Sequence, residues 1–296
     1  MFLNSNINIT EIILKTINSL LESLFSSIDN NVYNILDDII FLDSDFLKDK
    51  TFESIFGTSV SNGILYIVNA FLFGFVLYYL FRLLLSHFTY LPIENPHQFI
   101  FKLLMVSICI NSSFFICEQL LTFTSLFSSS IRELGELLFH KNICFSQLVK
   151  ELNSTIYIEN SSFNIFSFDG IIKSFISISL LNLVFSYSFR YILLKILLLF
   201  SPFAIATLLN NSTSWFFKTW FRSILSLLCI QILVAMALLI VLSTSYENNN
   251  IISKFIYIGS LYVLIRANSI IKELLGGLST TISQSVNNFG AFLKYL

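Results

Sequence analysis

Charge is scarce in this chain. Only 12% of its 296 residues are charged, while 55% are hydrophobic and the mean hydropathy is +0.78. A soluble domain carries about 25% charged residues, so there are too few here to clothe a soluble surface of this size. The shortage predicts an integral membrane protein. A net charge of −1 excludes a strongly basic nucleic-acid binder, and the abundance of hydrophobes excludes disorder. Proline (3) and glycine (9) are rare, which disfavours turn-dense β architectures. The four cysteines, Cys109, Cys117, Cys144 and Cys229, are scattered without a CxxC spacing. They make no disulfide framework or zinc site. His87, His97 and His140 are far apart, and no histidine joins a cysteine, serine or carboxylate pair in a catalytic pattern. Gly276-Gly277 lacks the Lys-Ser/Thr of a phosphate-binding loop. The expectation is therefore no catalytic residue, no metal and no cofactor. A secretory signal is not expected either, because a basic n-region is missing and Glu11 interrupts the first apolar stretch.

What fills the chain is Phe (33 residues) together with Ile, Leu, Asn, Ser and Lys. Part of that bias is the signature of an AT-rich bacterial genome, and triplets such as Asn153-Ser154-Thr155 carry little meaning against it. The pattern along the chain is more informative. Residues 9–40 repeat apolar positions at helical spacing, with Glu11, Lys15, Glu22, Asp29, Asp37 and Asp38 opposite. Residues 1–53 hold nine acidic and three basic groups and read as one or two helices beside the membrane, against a partner or as a lid on the protein's own bundle. A charge-free run from Ser54 to Phe81 predicts the first span, where about 20 residues suffice. A short loop with Pro92 and Pro96 leads to a second span at 99–121. Residues 123–139 resemble an interfacial helix, followed by a more polar loop to Gly170. A long third helix from 171 to about 200 breaks at Ser201-Pro202. A short apolar segment, 203–209, precedes a fourth span at 215–243, and a fifth follows at 251–269.

The predicted fold is an all-α polytopic membrane protein with about five transmembrane helices. Its divisions are acidic extracytoplasmic helices at 1–53, two spans with a short cytoplasmic loop at 54–121, an extracytoplasmic segment at 122–170, a transmembrane core at 171–270 and a cytoplasmic tail at 271–296. In this arrangement one side holds nine basic residues, Arg82, Lys102, Arg190, Lys195, Lys218, Arg222, Arg266, Lys272 and Lys294, against Glu94 and Glu273, roughly +7. The other side is roughly −8. Basic residues in short loops mark the cytoplasmic side, which predicts the N-terminus outside and the C-terminus inside.

Polar residues at membrane depth point to function. Ser179, Asn182, Ser186 and Arg190 share one face of the third span, and Lys218, Arg222, Ser226 and Cys229 share one face of the fourth. Asn62, Tyr66 and Asn69 do so in the first, Asn111, Ser112 and Ser113 lie in the second, and Gln231 in the fourth. Ser179, Asn182, Ser186 and Ser226 form a candidate polar seam, lining a water-filled path or a contact between protomers. Ordinary interhelical hydrogen bonds account for the same residues. Arg190, Lys195, Lys218 and Arg222 form a candidate cytoplasmic collar for a polyanion whose backbone phosphates they would neutralise. Anchoring to anionic lipid is the simpler role for them. Trp215 and Trp220 crowd the start of the fourth span as an interfacial belt.

The segments Arg190-Tyr191-Ile192-Leu193-Leu194-Lys195, Leu199-Phe200-Ser201-Pro202-Phe203-Ala204 and Ser214-Trp215-Phe216-Phe217-Lys218-Thr219-Trp220-Phe221-Arg222 resemble the TrbL-like membrane subunits of conjugation machinery. In those proteins a long helix ends in a small-Pro-aromatic-Ala break, and a Phe-Lys-x-Trp helix start follows. Arg266-Ala267-Asn268-Ser269 through Gly276-Gly277 is similar to the ends of such proteins from Gram-positive mobile elements. The resemblance covers about 171–280. It implies a channel subunit of a type IV secretion system in a bacterial cytoplasmic membrane. Such a subunit is a homo-oligomer assembled with other channel subunits and driven by separate ATPases, and transferred single-stranded DNA is a transient, sequence-independent partner. The family brings no catalytic residues. Two other readings stay open on the residues alone, a permease domain for a small solute or peptide and a structural or exclusion protein of a mobile element.

Overall fold

The computed structural model of the protein describes residues 9–57, 63–89, 95–156, 167–243 and 251–275, and every regular element among them is helical. Asn62, Pro92, the 157–166 part of the polar loop, the 247–250 linker and the tail from Gly276 lie outside the described residues. In chain order the elements are α1 (Ile9–Ile40), a 3-10 turn (Ser44–Leu47), α2 (Lys50–Phe56), α3 (Gly63–Thr89), α4 (Pro96–Asn111), α5 (Ser113–Phe139), α6 (Phe145–Ile156), α7 (Phe168–Leu199), α8 (Ser201–Ala206), a 3-10 turn (Thr207–Leu209), α9 (Ser214–Ser243) and α10 (Ile251–Leu275). Among the described residues five helices are long and apolar enough to cross a membrane: Gly63–Ser86 within α3, α5, Gly170–Leu199 within α7, α9, and Phe255–Leu275 within α10.

Five is the expected number, but two spans differ from their predicted positions. The charge-free run from Ser54 is not one helix. Its first residues belong to α2, an amphipathic helix of about two turns capped by Asp49, whose carboxylate accepts from Thr51 N. Gly57 and Gly63 then both adopt positive φ (91° and 71°). A side chain on Gly63 would run into Gly57 N and Ile55 O. Only glycine fits this tight return, so the span starts at Gly63. The predicted second span, 99–121, straddles a bend. Asn111 Nδ2 donates back to Ser107 O at 2.9 Å, and Ser112 leaves the helix at φ −92°, ψ 4°. Consecutive Asn and Ser side chains compete with the backbone ladder in this way. The membrane-length helix is α5, which absorbs the stretch predicted to be interfacial. α4 and α5 run end to end over about 65 Å at 1.5 Å per residue, about twice the hydrocarbon thickness. Only α5 has the length to span, and α4 belongs with α3 in an antiparallel hairpin. Tyr79 stacks on Phe99 at 3.7 Å, and Asn69 donates to Asn111 at 3.4 Å.

α9 is the central helix and packs against α5, α7 and α10. Its inward residues Leu227, Leu228, Val234 and Leu238 are fully buried, or nearly so. α7 runs antiparallel to it, since Arg190 meets Leu227 and Leu197 meets Trp220. α10 lies beside α7, joined by Tyr187 to Leu264 and by Asn268 to Ser186. α5 approaches α9 at Gly135, where a Cβ would strike Ile143 and Leu239. α8 is too short to cross and packs on α4 and α3, with Phe203 edge-on to Phe71.

Candidate functional site

The expected collar divides. Arg190 is fully buried. It sits nine residues before Leu199, the end of α7, or about 13 Å along the helix axis. Its Nε donates to Leu227 O (2.9 Å) and its Nη1 to Ile40 O (3.1 Å). Among the described residues no carboxylate pairs with it, and Nη2 has no partner. It is therefore a membrane-depth clamp on the end of α1, not part of an exposed collar. Lys195 is engaged as well. Its Nζ lies 3.6 Å from Asp49 and over the rings of Phe46 and Tyr191 at 5.2 and 5.3 Å. Lys218 and Arg222, one helical turn apart on α9, are exposed.

Arg190 grips Ile40, and Lys195 pairs with Asp49 of a strap, residues 41–56, which leaves α1 at Ile40 and runs between α5, α7 and α9. Leu42, Phe46, Leu47, Phe52 and Phe56 are all buried along it. Phe46 meets Tyr191 edge-on at 4.8 Å, and Phe56 meets Phe114 at 5.3 Å. Irregular backbone at membrane depth persists only where protein groups satisfy it, and here they come from facing helices. Gln231 Oε1 accepts from Leu42 N at 3.2 Å while Arg190 donates to Ile40 O. Gln231 lies one turn beyond Leu227, so Arg190 grips the end of α1 and Gln231 the start of the strap. Gln231 Nε2, like Arg190 Nη2, is buried without a partner.

The Lys195–Asp49 pair bears on the sorting of charges by side: the acidic 1–53 region and the Lys195 end of α7 are expected on opposite sides, yet Asp49 lies 3.6 Å from Lys195. The 43–53 part of that region lies with the Lys195 end of α7. The upper anchor of the strap is different. Asp37 Oδ1 accepts from Phe145 N at 3.0 Å at the start of α6. Burial raises its pKa above the ordinary 3.8, although the Phe145 and Ser146 amides and Arg132 pull the other way. Arg132 lies 4.5 Å from the Phe41 ring centre and donates to Ile143 O, tying α5 to the same corner.

The expected seam is only partly one surface. Ser186 Oγ accepts from Asn268 Nδ2 at 2.8 Å, making a buried joint between α7 and α10. Ser226 is buried, Ser179 half-buried, and Asn182 faces outward. Pro202 is buried in the break after α7, where Phe200 bends the chain at φ −79°, ψ −4°. Trp220 is not an interfacial anchor: it is 5% exposed and its Nε1 donates to Leu197 O at 2.8 Å, closing the hairpin of α7 and α9. Trp215 stays exposed, as an anchor would. The sequence reading missed the strap itself, and with it Ile40, Leu42, Phe46 and Asp49. Their one signal was the irregular recurrence of Phe41, Phe46, Phe52 and Phe56 among acids that were read only as charge.

Among the described residues no cluster of His, Cys, Asp or Glu could hold a metal. The site holds a protein segment through Gln231 and Arg190 and presents the exposed cations Lys218 and Arg222 at one end of α9. No model of a known family matches the chain, and no curated protein matches it.

Proposed function

We propose that the protein is a membrane channel subunit of a conjugative type IV secretion system, helping a single-stranded DNA–protein substrate cross a bacterial cytoplasmic membrane. The observation that carries the reading is the 190–222 hairpin. Its three TrbL-like segments, spread over 33 residues of sequence, fold into one hairpin that Trp220 closes by donating to Leu197 O, beside the buried Ser201-Pro202 break. Five apolar helices suit a bilayer, and most of the outward side chains of α3, including Phe71, Phe73 and Phe81, are apolar. In this reading Lys218 and Arg222 are the free part of the basic mouth, Arg190 is internal, and Lys195 opens to DNA only when Asp49 leaves. Separate ATPases and other channel subunits complete the machine, and the subunit works as a homo-oligomer.

The C-terminal end of α7 faces the cytoplasm in this proposal. Lys48 and Lys50 lie with Lys195, Lys218 and Arg222 at this end, bringing basic residues of the strap, α7 and α9 together. Lys and Arg in short connections and at helix ends mark the cytoplasmic side. The test is transfer from donors carrying K218Q/R222Q. The expected result is a fall of at least tenfold in transfer frequency with normal membrane insertion. Transfer at the wild-type frequency would remove the mouth from the proposal.

A further inference from the structure

The strap has the features of a removable plug. It is a connected segment with no hydrogen-bonded place in the helical ladder of any span. It occupies the cleft between α5, α7 and α9, and its entry is held by two polar side chains, Gln231 on Leu42 N and Arg190 on Ile40 O just before it. Each of those side chains keeps a buried donor unpaired, Arg190 Nη2 and Gln231 Nε2. Buried donors are paired in nearly all native structures, and an unneutralised cation at this depth is costly. Both groups become hydrated once the strap withdraws and water enters the cleft. The orphan donors are therefore the wall of a path that the strap fills in the described state. The handle is α1: Ile13, Ile17, Leu20 and Leu24 are 45–64% exposed on one face of its outer part.

We infer that residues 41–56 are an autoinhibitory plug. Its withdrawal opens a water-filled path lined by Arg190 and Gln231, with the Lys195–Asp49 pair as the latch at one end. The inference rests on the channel reading for its biological use but not for its physical test. The path passes small anions in preference to cations, because its one buried charge is an arginine.

The experiment uses purified full-length protein in liposomes of neutral lipid, with chloride and potassium fluxes as the probe. Four proteins are compared: wild type, R190M/Q231L, D49C/K195C, and the combination of both pairs. The native cysteines are replaced throughout. A short bifunctional methanethiosulfonate, reversible by reductant, joins the two introduced cysteines. The latch residues are reachable, with side chains 49% and 26% exposed. Wild type is expected to be nearly silent, and R190M/Q231L to carry flux at least tenfold above it with no preference for chloride over potassium, since the arginine that selects anions is gone. The combined protein is expected to be silent when joined and conducting when reduced. Equal flux in the joined and reduced states overturns the plug, as does a silent R190M/Q231L protein that is monodisperse and insertion-competent. The reversible join guards against misfolding, since a misfolded protein does not close and reopen. If fluxes behave as expected while K218Q/R222Q donors transfer DNA normally, the plug stands and the conjugation reading falls. If fluxes are indifferent to the latch while those donors fail, the reverse holds.

Discussion

Replacing Arg190 by methionine isolates the clamp. Methionine keeps much of the apolar stem but removes both hydrogen bonds and the charge. The two lost bonds are not equivalent. Leu227 O lies inside α9 and keeps its helical partner. Ile40 is the last residue of α1, and its carbonyl is one of the four at a helix end that lack one. The variant therefore leaves Ile40 O buried and unpaired, at a cost of about 1–3 kcal/mol. That cost falls on the docked strap alone. The bundle is relieved of an unneutralised buried cation, which is neutral or stabilising for α7 and α9. At 1.36 kcal/mol per tenfold, the docked-to-released ratio should fall by about 5- to 150-fold. The assay is thiol labelling of L42C, a position 3% exposed in the docked strap, in a protein lacking its native cysteines. R190M should label faster by that factor without loss of thermal stability, and R190K should fall between, since one ammonium can hold one carbonyl. Equal labelling in L42C and R190M/L42C would refute the clamp, because Arg190 would then contribute nothing to holding the strap.

Other substitutions test the joints around it. In D37N the amide oxygen can still accept from Phe145 N, and the buried charge is gone. Because Asp37 has a raised pKa in the fold, wild type gains stability as pH falls through that value towards 3.8. The thermal-stability advantage of D37N should thus be largest at high pH and shrink on acidification. A constant advantage would contradict the burial argument. W220F removes the bond to Leu197 O together with part of the buried ring and should cost about 1–3 kcal/mol, whereas W220A should cost about 3–5 kcal/mol, both read by unfolding in mild detergent. G135V forces a branched side chain against Ile143 and Leu239 and should lower stability by about 1–3 kcal/mol, while a valine at Gly74, which faces open space, should not.

Some elements were legible from sequence because one physical signal dominates them. α9 has 30 residues of nearly unbroken apolar chain between a polar turn and a polar linker, and its predicted limits agree within a residue. α1 was legible by periodicity, and its predicted range coincides with the observed one. The failures occur where a local backbone preference overrides composition. Gly57 and Gly63 split a run that carries no charge, and Asn111-Ser112 bends a run that carries only two. The strap was illegible for a different reason. Its acids and aromatics alternate too irregularly for a helix or a strand, and its meaning lies in contacts with Arg190 and Gln231, 150 and 189 residues away. The basic residues illustrate the same limit. Spacing placed Arg190 and Lys195 at one membrane mouth with Lys218 and Arg222, but only packing could separate the internal pair from the exposed one. The Trp220 bond to Leu197 likewise depends on how α7 bends at Phe200, which residue type alone does not specify.

The central claim is that DNA passes the exposed cations at the start of α9. A photocrosslinking residue placed at Lys218 or Arg222 in donor cells during conjugation tests it most directly, with Phe73 on the outward face of α3 as the control. The account predicts recovery of transferred single-stranded DNA from positions 218 and 222 and none from 73. Failure to recover DNA from 218 and 222 in cells that are transferring at the normal frequency would contradict it.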